Sequence, residues 1–383
     1  ALNHTAKGGL ITFSLNVAPR IAYRKNASWD VFRNAVEANP TTPIMDPKDP
    51  SLYYNFKGQA AGYNPLELLK KDKSTGTTKL LDWDGTVKLN LLPLLLNKED
   101  RQTLTTQLTF ADHQYDNYNQ WFRPSTSTLA INAGREGEAS QDYSKSAIRT
   151  LEWVTNYANS FGNHNFKVMA GYSYQYEQYS GLNAANKDFP NDALEDNNLG
   201  SGTYAKDEGE LGMGSYKNDS KLISFFGRVS YDWKGRYMLT ASLRHEGSSK
   251  FGEHHKWGNF PAISAGWRIS DEAFMAGTKS WLTDLKLRGD FGITGNQSFD
   301  SYRSLNTMSG FGYYLYNGKY YQVWGPGKNV NPDLRWEKGQ NWNVGLDWTL
   351  FGGDLYGSFN YYSRKQQDLL GDYNVSVPPY LFT

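Results

Sequence analysis

Apolar and polar residues alternate along several stretches of this chain. In the clearest stretch the odd positions are mostly apolar or aromatic, and the even positions are mostly polar or charged. The odd set is Ile223, Phe225, Gly227, Val229, Tyr231 and Trp233, and the even set is Ser224, Phe226, Arg228, Ser230 and Asp232. A period of two predicts a β-strand whose two faces meet different surroundings.

Eleven segments show this alternation. They lie near residues 9–23, 80–92, 102–113, 148–158, 165–177, 222–234, 236–246, 261–270, 284–292, 340–350 and 354–364. Most are roughly nine to eleven residues long, which is the length that a tilted strand needs to cross the hydrocarbon core of a bilayer.

The connections between the segments alternate in length. Short connections are expected around 97–101, 160–164, 235, 271–283 and 352–353, and long ones at 24–79, 114–147, 178–221, 247–260 and 293–339. Bacterial outer-membrane barrels have short periplasmic turns and long extracellular loops, whereas the loops of a soluble β-sandwich have no reason to sort in this way. The chain is therefore predicted to be all-β, an antiparallel transmembrane β-barrel.

Aromatic residues gather near the ends of these segments. They include Trp153, Tyr157, the stretch from Tyr172 to Tyr179, Trp233, Tyr237, Trp267, Trp342, Trp348, Tyr361 and Tyr362. The girdles of a barrel at the two membrane interfaces have this distribution. Cross-strand aromatic pairing in a water-soluble sheet is the alternative.

Composition narrows the function classes. The 40 basic residues nearly balance the 39 acidic ones, which removes the electrostatic argument for a nucleic-acid partner. There is no cysteine, so disulfides, thiolate metal sites and cysteine nucleophiles are excluded. The longest apolar run, residues 91–96, falls far short of the ~20 residues of a transmembrane helix. No signal peptide is predicted, because Ala1 opens a polar stretch without a cationic start.

Three local patterns suggest other chemistry, and a solvated loop explains each of them more simply. Residues 200–205 match a dinucleotide-binding pattern but have no βαβ unit around them. The adjacent His254 and His255 point to opposite sides of an extended segment, which does not suit a metal. The acidic loop 188–210 lacks the spacing of a calcium loop, so calcium there, or in a partner, has no motif to support it.

We therefore predict no metal site, no cofactor and no catalytic residue. No serine lies in a nucleophile elbow, and no pair of carboxylates is distinguished by its surroundings. The chain is not expected to be an enzyme.

A glycine-containing loop between residues 302 and 324 is rich in aromatic residues. Its candidate substrate-binding residues are Tyr313, Tyr314, Tyr316, Tyr320, Tyr321 and Trp324. Aromatic faces can stack on the apolar faces of sugars and can grip extended peptides. The alternative is that these rings pack against neighbouring loops or against the underside of a partner.

Charged residues at the polar positions of the strands are expected to face the channel. They are Arg228, Arg244, Arg268, Arg288, Asp232 and Asp290. Most are predicted to form a ladder of ion pairs that braces the barrel against a plug.

A longer motif lies between residues 239 and 274. Its residues are Arg244, Glu246, Gly247, Ser248, Ser249, Phe251 and Gly252, followed by Trp257, Phe260 and Pro261. The motif resembles the SusC/RagA family of TonB-linked transporters, in which a strand ending R-x-D-G-S-S-x-F-G leads into W-G-x-F-P-S/A. Glu246 stands where aspartate is usual. Further similar segments surround Asn39, His164, Asn296 and residues 331–337.

The resemblance implies a 22-stranded outer-membrane importer of large nutrients, most often oligosaccharides and in some members peptides. A SusD-like surface lipoprotein would cap the mouth, and TonB would supply energy through a plug. The long loops, above all 178–221 and 293–339, would form the docking rim for the lipoprotein. A barrel that acts as a passive pore, an adhesin or a secretion-complex component is the alternative.

The resemblance also bears on domain organisation. Residues 1–383 are expected to be one partial barrel domain, because nothing in the sequence resembles the plug or the N-terminal extension domain of the family. Eleven segments are half of 22, and an open sheet edge is not tolerated in lipid. The chain is therefore expected to be the middle of a longer polypeptide.

Overall fold

Fourteen strands are found in the computed structural model, which describes residues 1–27, 29–95, 102–207, 212–327 and 330–371. In chain order they are β1 (Leu2–Thr5), β2 (Ile11–Lys25), β3 (Lys73–Asn90), β4 (Gln102–Arg123), β5 (Glu138–Phe161), β6 (His164–Lys187), β7 (Met213–Trp233), β8 (Tyr237–Ser248), β9 (Trp257–Arg268), β10 (Leu282–Asn296), β11 (Met308–Tyr316), β12 (Lys319–Pro326), β13 (Glu337–Leu350) and β14 (Leu355–Gln367). Twelve of them form one antiparallel sheet in sequence order, and β11 pairs only with β12. The predicted antiparallel fold is confirmed.

One face of the sheet is apolar and the other is polar, and this difference continues across neighbouring strands. Directly opposed residues share a face, and one such row consists of Val87, Leu108, Trp153, Tyr172 and Phe225. A neighbouring row on the other face consists of Thr86, Thr109, Glu152, Ser173 and Ser224. The sheet is therefore a wall with an apolar outer face and a polar inner face, as a membrane barrel requires.

All eleven segments of alternating residues are strands, but several strands extend well beyond them. β4, β5 and β6 are 22, 24 and 24 residues long. The loops expected at 114–147 and 178–221 shrink to 124–137 and 188–212, so those boundaries were wrong. The outer positions beyond Ile223 are Lys221, Asp219 and Lys217, so alternation disappears while the strand pairing continues. The four-residue β1 was not predicted.

The apolar part of β7 matches the thickness of a membrane. Its outer face is apolar or aromatic from Ile223 to Trp233. This stretch is about 33 Å long at ~3.3 Å per residue. For a strand tilted by about 40° it spans about 25 Å, the height of the apolar band of an outer-membrane barrel.

The connections sort into two ends, as predicted. At the short-turn end they include α3 (Leu92–Leu95) and residues 162–163, 234–236, 269–281 and 351–354; the turn expected at 97–101 lies outside the described residues. At the long-loop end they contain α1 (Trp29–Glu37) and α2 (Pro65–Lys71), then α4 (Thr128–Asn132) and α5 (Tyr204–Asp207). None of the helices in the described ranges has the length and hydropathy to cross a bilayer.

Neighbouring long loops are locked together by buried polar side chains. Asn64 caps α2 by accepting hydrogen bonds from the Leu66 and Glu67 N–H groups. The Glu67 carboxylate in turn accepts the N–H of Thr128 at 2.9 Å, which caps α4 in the next loop. Both Asn64 and Glu67 are buried, so the loops between β2 and β3 and between β4 and β5 form one body.

Candidate functional site

The aromatic loop folds into the β11–β12 hairpin at the long-loop end. Its turn residues Asn317 and Gly318 have φ angles of 48° and 73°, as a two-residue turn of type I′ requires. Thr307 and Gly327 close its base through a 2.8 Å backbone hydrogen bond. The hairpin therefore stands as a separate two-stranded unit.

The aromatic rings of the hairpin are divided between its two faces. The strand register places Tyr314, Tyr316 and Tyr321 on one face, and Tyr313, Tyr320 and Trp324 on the other. All six candidate residues are between 52% and 72% exposed. Within the described chain these rings are therefore not buried against neighbouring loops. They form two exposed aromatic surfaces, one on each face of the hairpin.

Three aromatic residues of distant segments form a core at the long-loop end. Phe251, Phe260 and Trp336 are 1%, 8% and 3% exposed. The Phe251 and Trp336 rings lie 4.6 Å apart, and the Trp336 indole N–H donates to the Lys256 carbonyl at 3.0 Å. Two motif residues thus anchor the loop after β8 to the segment that leads into β13.

Glycine at position 252 permits a close approach between these segments. A Cβ at this position would lie 1.7 Å from the Pro332 carbonyl oxygen. The Gly252 N–H donates to the Leu334 carbonyl at 2.9 Å. Only glycine allows this contact without displacing backbone.

The remaining motif residues shape the wall around this core. Arg244 donates to Glu246 and to Ser224 at 2.7 Å each, on the inner face. On the outer face the Trp257 ring covers Gly247, where a Cβ would meet it at 2.8 Å. The other members are Ser248, which is buried and accepts the Lys250 N–H, Ser249, which accepts the Lys221 N–H, and Pro261, which lies opposite Leu243.

Tyr302 holds the loop after β10 against the uncovered edge of β7. Its hydroxyl accepts the Asp219 N–H at 3.0 Å and donates to the Asp219 carboxylate. This hydrogen bond to a carboxylate, with burial, raises the pKa of Tyr302 above its usual value of 10.0. The sequence alone gave no signal for this contact, because the two residues are far apart in the chain.

The predicted inner-face charges are mostly paired within the wall. Arg288 lies 3.0 Å from Asp347, and Arg268 lies 3.3 Å from Asp284. Asp290 and Asp232 instead accept hydrogen bonds from asparagine amides at 2.9 Å. Arg228 lines a shallow depression on the inner face with Ser242 and Asp290. The bracing of a plug remains a prediction.

At the short-turn end, Glu272 gathers three donors on the outer face. The Tyr237 hydroxyl, the Trp267 indole N–H at 3.0 Å and Arg236 at 3.1 Å all donate to it. The hydrogen bonds from Tyr237 and Trp267 lower the pKa of Glu272. The Tyr237 ring also stacks on Trp233 and on Trp267, with centroids 5.5 and 6.4 Å apart, at one of the predicted aromatic girdles.

The residues of the other three candidate patterns form a short helix, ion pairs or hydrogen bonds within the protein. Residues 199–201 form a short 3-10 helix rather than a phosphate-binding turn. His255 lies 3.5 Å from Asp333. In the acidic loop, Asp188 pairs with Arg135, Asp192 accepts the Ser125 N–H, Glu195 pairs with Lys73 and Asp196 accepts from Gln120 and Gln141. Among the described residues no three histidine or carboxylate groups are arranged for a metal; Glu208 and Glu210 lie outside them.

These features define a class of protein. A sequential antiparallel wall with an apolar outer face, a polar inner face and loops sorted by length is the wall of a transmembrane β-barrel. The chain belongs to the family described as TonB dependent receptor-like, beta-barrel, whose profile matches residues 24–383. The members of this family are TonB-dependent transporters of the outer membrane.

Individual relatives support the SusC/RagA resemblance. TonB-dependent receptor SusC of Bacteroides thetaiotaomicron is 28% identical, and the alignment covers 98% of this chain and 40% of that protein. TonB-dependent receptor P3 of Formosa agariphila is 33% identical over 253 residues, which cover 65% of this chain and 24% of that protein. The chain thus spans less than half the length of each.

The fold also matches a solved structure. The RagAB peptide transporter superimposes with a TM-score of 0.74 over 97% of this chain and 40% of that chain, at 18% identity. In its open-open state the TM-score is 0.75 over the whole of this chain. At this identity the match bears on the fold alone.

Proposed function

We propose that this chain is part of the barrel domain of a longer outer-membrane importer. The importer takes up nutrients too large for porins, with oligosaccharides as the first cargo class and oligopeptides as the second. TonB supplies the energy through a plug, and a SusD-like surface lipoprotein captures the cargo. The similarity to SusC over nearly the whole chain is the observation that carries this proposal.

The β11–β12 hairpin is proposed to contact the cargo or the lipoprotein. Aromatic rings bury large areas and pay little conformational entropy for doing so, which suits a contact surface. Here each face carries three of the six exposed candidate rings, so one hairpin can meet two different surfaces at once. The alternative use, packing against another loop of this chain, is not seen in the described residues.

Active uptake is tested with the full-length parent protein in its native host. Labelled oligosaccharides of increasing length are supplied, and entry is followed with and without the inner-membrane TonB complex. We expect uptake of the longer oligosaccharides to require TonB. Uptake that continues unchanged without TonB would refute active import and indicate a passive pore.

The hairpin is tested with two matched triple variants. One replaces Tyr314, Tyr316 and Tyr321 by serine, and the other replaces Tyr313, Tyr320 and Trp324. Uptake and co-purification of the lipoprotein are measured for both. We expect each variant to impair at least one of the two readouts, at about 1 kcal/mol or more per ring removed from a contact. Two variants with normal uptake and normal co-purification would exclude the hairpin from both roles.

A further inference from the structure

The neighbouring strands β7 and β8 end at different levels at the long-loop end, and a small cavity lies in the step between them. β8 ends at Ser248, whereas its neighbour β7 continues far beyond the last paired residue, Leu222. The loop after β8 and the segment 301–305 fill part of this step. Between them and the edge of β7 lies a cavity of about 380 Å³. Its volume is within the range of roughly 300–1,000 Å³ that small-molecule sites occupy.

The lining of the cavity carries an excess of ammonium groups. Lys221, Lys250 and Lys256 line it, together with the carboxylates of Asp219 and Glu253. Within the described ranges, the ammonium groups of Lys221 and Lys256 form no ion pair with a carboxylate. The cavity therefore offers two unpaired ammonium groups to an anion.

The other charged residues of the lining, Asp219, Glu253 and Lys250, each have a different environment. The Asp219 carboxylate accepts a hydrogen bond from Tyr302, and Glu253 is exposed on the loop. Lys250 donates one of its three N–H groups to the Phe299 carbonyl at 3.0 Å, which leaves two for a ligand. Ser249 and Ser301 add hydroxyl groups to the lining. Ammonium and hydroxyl donors around one space suit the oxygens of a phosphate group.

The cavity lies at the level where a membrane meets water. Lys221 is the first outer-face position above Ile223, at which the continuous apolar stretch on the outer face of β7 ends. Just below, the rings of Phe225 and Trp257 lie 6.5 Å apart, and both are about half exposed. Such rings mark the interface of a bilayer, and basic pockets beside it bind lipid headgroups.

We propose that this cavity binds the phosphate of an anionic glycolipid of the outer leaflet. Lys221 and the rings of Phe225 and Trp257 lie on the outer face, the face from which a lipid headgroup would enter the cavity. The long-loop end is the extracellular end of barrels of this kind, which places the cavity in the outer leaflet.

The test uses the full-length parent protein in detergent and native mass spectrometry. The probes are monophosphoryl lipid A, the same lipid after removal of its phosphate, and inorganic phosphate. The variant is Lys221→Gln with Lys256→Gln, and the matched control is Lys48→Gln with Lys57→Gln, two exposed lysines of the loop between β2 and β3. A third variant, Lys221→Arg with Lys256→Arg, keeps both charges.

We expect the phosphorylated lipid to bind wild type, the control and the arginine variant alike. The glutamine variant should bind it at least tenfold more weakly, and so should wild type with the dephosphorylated lipid. Equal binding by the glutamine variant, or by the dephosphorylated lipid, would overturn the proposal, since adhesion to the apolar face would then suffice. Displacement of the lipid by millimolar inorganic phosphate would also overturn it and indicate a site for free anions.

Discussion

The contact between Gly252 and Pro332 gives the sharpest test of how the long-loop end is held together. In Gly252→Ala the new Cβ would lie 1.7 Å from the Pro332 carbonyl oxygen and 2.7 Å from its carbon. Both are backbone atoms, so the two segments must move apart by more than 1 Å. The hydrogen bond from the Gly252 N–H to the Leu334 carbonyl, 2.9 Å long, then fails.

The cost follows from two effects. Overpacking costs about 1–3 kcal/mol, and loss of the hydrogen bond costs about 1 kcal/mol. Together they reduce the free energy of local opening by about 2–4 kcal/mol. Because 1.4 kcal/mol is a factor of ten, amide exchange in segments 249–256 and 331–337 should accelerate roughly 30- to 700-fold.

Hydrogen exchange followed by mass spectrometry of the purified full-length protein measures this directly. Gly277→Ala is the control, because a Cβ at position 277 meets nothing within 4 Å. Its exchange should match wild type in both segments. If Gly252→Ala leaves the protection of these segments unchanged, or if the control accelerates exchange equally, the reasoning from close approach is refuted.

Three further changes test other parts of the molecule. Val344→Lys places a charge on the lipid face and should destabilise the folded barrel in urea by about 2 kcal/mol. Asn343→Lys, on the inner face, should destabilise it far less. Equal losses of stability would contradict the assignment of the faces. The raised pKa of Tyr302 means that its contact with Asp219 adds stability below about pH 10, which is lost as the pH rises through the folded-state pKa. Limited proteolysis of segment 297–307 should therefore accelerate above pH 10 in wild type, and already at neutral pH in Tyr302→Phe; a variant as resistant as wild type would rule out the clamp. Gly318→Val, at φ 73°, should cost about 1–2 kcal/mol and expose residues 308–326 to exchange while the wall stays protected; a hairpin that remains protected would argue against the type I′ turn.

The sequence located every long strand because the membrane imposes one apolar face over a fixed height. It placed the strand ends poorly for the same reason. Above that height both faces meet water, so the strand from Lys221 to Met213 has no hydrophobic pattern although its backbone pairing continues. Backbone hydrogen bonds leave no mark in the sequence of side chains.

The candidate sites were predictable only in part. The aromatic composition of the hairpin was visible, but its two strands were not, because Tyr313 and Tyr314 are consecutive aromatic residues that conceal the alternation. The motif resemblance drew attention to Phe251 and Phe260 without showing that Trp336 completes their core. The contact of Tyr302 with Asp219 and the cavity beside Lys221 arise from long-range folding, which local patterns do not encode.

The length of the strands sets the height of the wall at its long-loop end. The part of β5 from Glu138 to Thr150 lies beyond Leu151 of the apolar band and is about 40 Å long, so at the usual tilt it rises roughly 30 Å above the hydrocarbon. This part of the wall is held by strand pairing rather than by lipid, so its height does not depend on the thickness of the bilayer. The rim at the long-loop end therefore stands above the headgroups of the surface lipids, at a level set by the protein alone.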